Sequence, residues 1–187
     1  MREIIDFKDI EKELKELTTN EVEDEIYICH KLPLVFRSKK DEVDDEYCVK
    51  NSINVIQSFN WGGTIVANSG DIDMAIFRRE GWGVGKKILY GLGEYLVKKY
   101  NLNVAVDGND LIIDGLYKVC SYASINANRS SENALIYTCV HLSFNPHVEM
   151  IDKICTKPMV KIPRGLGYYG IDQNEILEEV SRIVREL

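Results

Sequence analysis

Residues 104–123, VAVDGNDLIIDGLYKVCSYA, constrain the fold of this chain more than any other stretch. Their apolar positions are mostly β-branched or aliphatic, which favours strands. Asp114-Gly115 is a turn signal, because glycine tolerates positive φ and aspartate bonds its own backbone. The segment therefore predicts two short strands joined by a tight turn, with Asn109-Asp110 opening the first strand and Lys118 just inside the second.

Lys118 is the first candidate functional residue. An ammonium held on a rigid strand near a polar turn is well placed to bind a phosphate or a carboxylate. The alternative is an exposed strand with a solvated lysine, and the pattern by itself leaves both interpretations open.

Two blocks of sequence resemble the lipoate–protein ligase A family. The run Lys118-Val119-Cys120-Ser121-Tyr122-Ala123, preceded by Asn-Asp-Leu and Asp-Gly, is similar to that family's K-[VI]-S-G-x-A segment. Residues 54–71, NVIQSFNWGGTIVANSGD, resemble its glycine-rich segment, R-R-x-S-G-G-G-[AT]-V-[FY]-H-D-x-G-[ND]. The order and spacing of the blocks also fit, over roughly residues 20–170, and biotin–protein ligases carry a similar Asn-Asp-Leu and lysine pair.

A glycine pair at the start of a strand lets a ligand approach the backbone and leaves amide N–H groups free to donate. An ordinary glycine turn is the alternative. The resemblance implies that the glycine-rich segment contacts ATP or the acyl-adenylate and that the second block completes the site. The substrate-binding positions carried over in this way, together with a neighbouring tryptophan, are Trp61, Gly62, Gly63, Thr64, Ile65, Val66, Asn109, Asp110 and Ala123.

The glycine-rich block also departs from the family pattern. The family's Arg-Arg falls on Gln57-Ser58, its first glycine on Trp61, and its His-Asp on Ala67-Asn68. Loss of the arginine pair removes forked, charged donors suited to phosphate, which weakens the case for activation by ATP. Trp61 either narrows the pocket, where it could stack on a ligand ring, or belongs to the core.

Cys155 is the candidate nucleophile of an alternative route. In the octanoyltransferases related to the resembling family, a cysteine shortly after a comparable helix forms an acyl-thioester. Here the context is Ile154-Cys155-Thr156, and the other interpretation is a half-buried spare thiol. Cys139 and His141 lie two residues apart on one predicted strand, but they lack the further partners that a metal site needs.

Composition excludes several classes of function. The net charge of -7 and pI of about 5.1 argue against nucleic-acid binding, since no basic patch stands out. Five irregularly spaced cysteines without a Cys-x-x-Cys pair argue against a disulfide framework and a structural zinc site. The first residues are too charged for a signal peptide, and no apolar run is long enough to span a membrane, so we expect a cytoplasmic protein.

The order of predicted elements indicates the fold class. Strands alternate with a few helices, which predicts α+β: a mixed, mostly antiparallel sheet packed by helices, in one domain over residues 1–187. The resemblance implies the biotin/lipoate ligase catalytic domain, with no room for the C-terminal accessory domain of larger members. The predicted helices are 5–18, 84–100, 147–154 with Asn145 as N-cap, and one that starts at the capping box Asp172-x-x-Glu175.

Three hypotheses for function follow. The first, implied by the resemblance, is an acyltransferase that attaches lipoate, octanoate or a similar acid to a lysine of a lipoyl-carrier protein through an acyl-adenylate. Lys118 would stabilise the developing negative charge, ATP would be the co-substrate, and a magnesium ion and a separate accessory subunit stay open. The second is a thioester route through Cys155, and the third is a non-catalytic protein that binds a ligand or a carrier domain.

Overall fold

The computed structural model describes residues 2–4, 23–57, 64–79, 81–126, 135–159 and 161–187, together with Lys12, Glu16 and Thr19. Most of the N-terminal helix predicted over 5–18 lies outside the described residues.

Eleven strands are found within these ranges. In chain order they are β1 (Arg2–Ile4), β2 (Asp24–Cys29), β3 (Leu34–Arg37), β4 (Asn54–Gln57), β5 (Ile65–Ala67), β6 (Ile72–Arg78), β7 (Val104–Asp107), β8 (Asp110–Ile113), β9 (Tyr117–Asn126), β10 (Ile136–Leu142) and β11 (Ile162–Pro163). The helices are α1 (Asp45–Lys50), α2 (Val84–Tyr100), α3 (Val148–Ile154) and α4 (Gln173–Arg185), with 3₁₀ turns at Lys40–Glu42 and Leu166–Tyr169.

The predicted α+β class is confirmed, but the strands form two sheets rather than one. The larger sheet has the order β1-β2-β6-β10-β9-β8-β7, with β11 beside β9, and is antiparallel except for the β1–β2 and β9–β11 pairs. The smaller sheet has the order β4-β3-β5. Periodicity predicts that a segment is a strand, but it does not specify the partner, so the separate pairing of β3 was not foreseen.

The main core lies between one face of the larger sheet and helices α2 and α4. Ile88, Leu89, Leu92 and Leu96 of α2 are fully buried there, and α2 begins and ends where its sequence predicts. Gly91 of α2 faces Ile183 of α4, where an added Cβ would come within 3.0 Å of Ile183 Cδ1. Glycine at this position therefore permits the close approach of the two helices.

The stretch 104–123 contains three strands and two turns, not two strands and one turn. The additional turn, at Gly108, separates β7 from β8, and Gly108 has a φ of +63° that favours glycine. The predicted turn at Asp114-Gly115 joins β8 to β9, with φ of +56° and +69°. A register shift between Leu111 and Ile112 marks an irregularity in the β8–β9 pairing.

The N-cap of α3 differs from its sequence prediction, whereas that of α4 agrees with it. His147, not Asn145, is the N-cap of α3, and its Nδ1 accepts a hydrogen bond from the amide of Met150. Asp172 caps α4 as predicted, by accepting from two backbone amides. Glu175 does not complete a capping box, because its carboxylate is bonded instead by side chains of α2.

Candidate functional site

A cavity of about 420 Å³ lies where the other face of the larger sheet meets the smaller sheet and α3. Its polar lining comes mainly from β8, β9, β10 and the segment before β11, and its apolar lining comes largely from β5 and the α3 region. The volume is within the range of about 300–1,000 Å³ that is typical of small-molecule sites. The lining residues used below are Thr64, Ile65, Val66, Asp110, Lys118, Ser121, His141, Ile151, Cys155, Met159 and Lys161.

The structure brings the two sequence blocks together at this cavity. Residues 64–66 of the glycine-rich block and both Asp110 and Lys118 of the second block line it, as does Cys155. Asn109 is exposed in the turn before β8, where its carbonyl accepts from the amide of Tyr122 at 2.9 Å, and it is not part of the lining.

Four other predicted positions are not part of the described cavity wall. Ala123 lies farther along β9, opposite Cys139 of β10, and does not line the cavity. Trp61, Gly62 and Gly63 lie outside the described residues. Their contribution to the site therefore stays a prediction.

Asp110 holds two lysines at the cavity wall. The Nζ of Lys118 lies 3.1 Å from its Oδ1, and the Nζ of Lys161 lies 2.7 Å from its Oδ2. Lys161 also lies 2.9 Å from a carboxylate oxygen of Asp107. Burial lowers the pKa of Lys161, but the two carboxylates outweigh burial and raise it. Two ammonium groups are therefore fixed close together beside the apolar part of the cavity.

The surroundings of Cys155 disfavour a thiolate. Burial, together with the carboxylates of Asp152 and Glu42, raises the pKa of this thiol. A nucleophilic cysteine normally needs a cation or a helix N-terminus that stabilises the thiolate. Cys155 instead follows the C-terminal end of α3, where the helix dipole is negative.

Sequence reasoning missed a buried cluster of two histidines and one aspartate next to the cavity. The Nε2 of His30 lies 2.6 Å from Oδ2 of Asp73, and the Nδ1 of His141 lies 2.8 Å from Oδ1 of the same carboxylate. Burial raises the pKa of Asp73, but the two imidazoles outweigh it and lower this pKa to about 2. Burial lowers the pKa of His141, but the carboxylates of Asp73 and Asp71 outweigh burial and raise it.

The strand register explains why these groups meet. His141 of β10 is directly opposite Asp73 of β6 on one side and Ser121 of β9 on the other. His141 and Ser121 reach the cavity, whereas Asp73 is fully buried behind them. A signal was present in the sequence, since a charged residue within an otherwise apolar strand needs a buried partner.

Asp71 anchors the loop below this cluster. Its Oδ1 accepts from the amide of Phe144 at 2.7 Å, and its Oδ2 accepts from the amide of Asn68 at 2.8 Å. The Nε2 of His141 lies 3.8 Å from Oδ2 of Asp71, which is beyond hydrogen-bonding distance. The Nε2 atom of this imidazole is therefore not hydrogen-bonded to Asp71.

Three polar side chains outside the cavity lining, Gln57, Arg164 and Lys157, have structural contacts. Gln57, at one position of the family's arginine pair, bonds Arg37 and Ser38 across the smaller sheet. Arg164 stacks 3.1 Å from the ring centroid of Tyr117, and Lys157 pairs with Glu42. These side chains therefore contact the protein around the cavity and are not available to a ligand inside it.

The described part of the chain contains neither a metal-binding cluster nor a membrane-spanning helix. No group of three or more His, Cys, Asp or Glu side chains there is arranged to hold a metal ion. Within the same ranges every helix is too short or too polar to cross a bilayer. All five cysteines are free thiols.

Comparison by sequence identifies no relative. The chain matches no protein-family model, and it matches none of the curated proteins.

Comparison by structure is informative. A bipartite lipoate–protein ligase from Thermoplasma acidophilum, described with its E2 lipoyl domain, superposes with a TM-score of 0.74 and 13% identity over 99% of this chain and 82% of that one. Lipoate–protein ligase A bound with ATP superposes with a TM-score of 0.75 and 12% identity, over 100% of this chain and 83% of that one.

A biotin protein ligase from Aquifex aeolicus, in complex with biotin and ATP, superposes less closely. Its TM-score is 0.54, with 13% identity over 100% of this chain and 67% of that one. These superpositions extend over essentially the whole chain. The chain has the catalytic-domain fold of the lipoate–protein ligases and biotin protein ligases.

Proposed function

We propose that this protein is an acyltransferase that attaches a lipoate-like or octanoate-like acid to a lysine of a carrier protein through an acyl-adenylate. The observation that carries the proposal is the shared cavity, in which Lys118 lies with residues 64–66 of the glycine-rich block and with apolar side chains. A cation beside an apolar pocket matches the chemistry of a fatty acid whose carboxyl group is activated.

The transfer step requires a positioned donor and a stabilised oxyanion. The amine of the carrier lysine attacks the acyl carbonyl, a C–N bond forms, the C–O bond to the phosphate breaks, and AMP leaves while the amine gives up a proton. Negative charge develops on the carbonyl oxygen and on the departing phosphate. Lys118 would stabilise that charge, and Asp110 would hold Lys118 in position.

The charges at the cavity fit an acyl-adenylate better than a free triphosphate. Two ammonium groups, Lys118 and Lys161, share one carboxylate at the wall, and Gln57 of the replaced arginine pair is engaged in the smaller sheet. An acyl-adenylate carries a single phosphate charge, which these lysines can match. We therefore expect AMP-linked donors to be used more readily than ATP with the free acid.

The thioester route through Cys155 has less support. Cys155 lines the cavity, but its two carboxylate neighbours oppose the thiolate form. A lipoyl-carrier domain is the proposed acceptor, because one structural neighbour is described with its E2 lipoyl domain. That neighbour is bipartite, so a separate accessory subunit is a proposed partner for activation of the acid.

The test is acylation of a lipoyl domain, followed by intact-mass spectrometry. The purified chain would be mixed with the domain and either octanoyl-AMP or lipoyl-AMP, and in a second arm with ATP, magnesium and the free acid. We expect a mass gain with the adenylates, and a loss of at least ~100-fold in rate for Lys118→Met, because an electrostatic contact to the transition state is removed. Lys157→Met, outside the cavity and paired with Glu42, is the matched control.

The outcomes separate the three hypotheses. Acylation of the domain by octanoyl-AMP supports the proposal. A covalent octanoyl group on Cys155, formed from an octanoyl thioester, would contradict the acyl-adenylate route and support the thioester route. Binding of octanoyl-AMP with no mass gain on any lipoyl domain would assign the chain a binding role.

A further inference from the structure

His141 is a buried titratable group at the cavity that the proposed reaction does not use. Its side chain is 9% exposed and lines the cavity on the same wall as Lys118. Its Nδ1 is committed to Asp73, but its Nε2 stands 3.8 Å from Asp71, beyond hydrogen-bonding distance. Among the described residues no acceptor lies within hydrogen-bonding distance of this nitrogen, which is open to the cavity, so a ligand in the cavity can reach it.

We propose that His141, as an imidazolium, is the second cation of this cavity and that it holds the carboxylate of a fatty-acid-like ligand together with Lys118. The identity of the ligand rests on the proposed function, whereas the assignment of His141 rests on its own contacts. Ser121, directly opposite His141 in the strand register, would add a hydroxyl donor on the same wall.

The charged form of His141 has a structural cause. Asp73 is fully buried and its carboxylate is shared by His30 and His141, so a fixed negative charge lies 2.8 Å from the ring. Burial and the Lys118 ammonium lower the pKa of His141, and the two nearby carboxylates outweigh them. An additional anion at Nε2 would favour the imidazolium further.

Among the described residues, the charged groups that act on this ring come from β6 with the residue before it and from β9. Asp73 and Asp71 raise the pKa of His141, and Lys118 lowers it. His30, which follows β2, shares the Asp73 carboxylate with His141, and Asp110 pairs with both Lys118 and Lys161 at the cavity wall.

This arrangement accounts for one departure of the sequence from its family. The arginine pair expected in the glycine-rich block falls on Gln57-Ser58, which removes two cations. An imidazolium anchored to a buried carboxylate would restore one positive charge from a different strand. Unlike an arginine, it loses that charge as the pH rises, so ligand binding would become pH-dependent.

The first experiment follows the histidine resonances of the whole chain by NMR. The chain has only three histidines, so each resonance can be assigned with one variant. We expect saturating octanoate to raise the pKa of His141 and to leave the chemical shifts of the exposed His147 unchanged. An unaltered His141 titration in saturating octanoate overturns the inference.

The second experiment measures octanoate affinity by isothermal titration from pH 6 to pH 9. Affinity should fall as the pH rises through the pKa of His141, and His141→Asn should weaken binding at pH 6 about tenfold and remove that pH dependence, because a charge is lost while a donor toward Asp73 is kept. His147→Asn is the matched control, since asparagine is also a good N-cap for α3.

Two further arms identify the ligand chemistry. Octanol, which has the same chain without the charge, should bind without pH dependence, and AMP should leave the pKa of His141 unchanged. A shift of this pKa by AMP, or wild-type octanoate affinity in His141→Asn, overturns the assignment. If octanoate binding depends on His141 but the protein acylates no lipoyl domain, the proposed function is overturned and the role of His141 in binding stands.

Discussion

The ammonium of Lys118 lies 3.1 Å from the carboxylate of Asp110, and this contact joins β8 to β9 at the cavity wall. Asp110 also forms an ion pair with Lys161, so a single carboxylate pairs with two cations where the proposed ligand would bind. It both positions Lys118 and reduces the positive potential of the cavity.

Asp110→Asn separates these two effects. We expect octanoate to bind about threefold more tightly, because a negative charge is removed, and acyl transfer to slow about tenfold, because Lys118 is no longer held. Titration calorimetry and single-turnover acylation measure the two quantities. Asp107→Asn, which removes only an exposed partner of Lys161, should change both by less than about twofold. Faster transfer in Asp110→Asn would contradict the positioning role.

Cys155→Ala tests the choice of route. We expect the rate of transfer from octanoyl-AMP to stay within about twofold of wild type, since the thiol is kept protonated by burial and by Asp152 and Glu42. Cys48→Ala is the control, because Cys48 is buried in the same cluster but does not line the cavity. Loss of acylation in Cys155→Ala alone would favour the thioester route.

Asp73→Asn tests the buried histidine–aspartate cluster through stability. Removal of a fully buried carboxylate that pairs with two histidines should lower the free energy of unfolding by about 3–5 kcal/mol near neutral pH. Urea unfolding followed by circular dichroism measures this change. Asp152→Asn, at an exposed position on α3, should stay within about 0.5 kcal/mol of wild type.

The pH dependence of that difference has a defined sign. The pKa of Asp73 is lowered from 3.8 to about 2, so its stabilisation is present above pH 3.8 and is lost as the pH falls toward 2. The pKa of His141 is raised above 6.5, so its stabilisation is complete below pH 6.5 and is lost as the pH rises through the folded pKa. The gap between wild type and Asp73→Asn should therefore be widest from about pH 4 to pH 6.5, and a constant gap would contradict this account.

Glu175→Gln tests the contact between α2 and α4. Lys99, Tyr100 and Tyr95 bond the Glu175 carboxylate and lower its pKa to about 2. Because Glu175 and Lys99 are partly exposed, we expect a loss of only about 0.5–1 kcal/mol in the free energy of unfolding at pH 7. This stabilisation should disappear as the pH falls from 4.5 toward 2, whereas the exposed Glu178→Gln should match wild type throughout.

Local elements were the most predictable part of this protein. Helix α2 begins at Val84 and ends at Tyr100 as its apolar periodicity indicates, and Asp172 caps α4 because its side chain reaches amides two and three residues away. The turn at Asp114-Gly115 forms where its residues tolerate positive φ. Each of these features depends on neighbours within a few positions, and such information is contained in the segment itself.

Part of the candidate site was accessible in the same way. Asp110 and Lys118 were identified by their motif, and the structure places both at one cavity with residues 64–66. The third strand of the stretch 104–123 was missed, because the turn at Gly108 was not recognised. The N-cap of α3 was assigned to Asn145, because the side chain of His147 was not considered as an acceptor.

The sequence by itself established the α+β class, the bounds of its clearest helix and the candidate lysine. Only the tertiary structure decided that β3 forms a second sheet, and that His30, Asp73 and His141 share one buried contact across separations of 43 and 68 residues. The reason is that periodicity and turn chemistry act over a few residues, whereas the meeting of distant polar side chains depends on which strands pair and in which register.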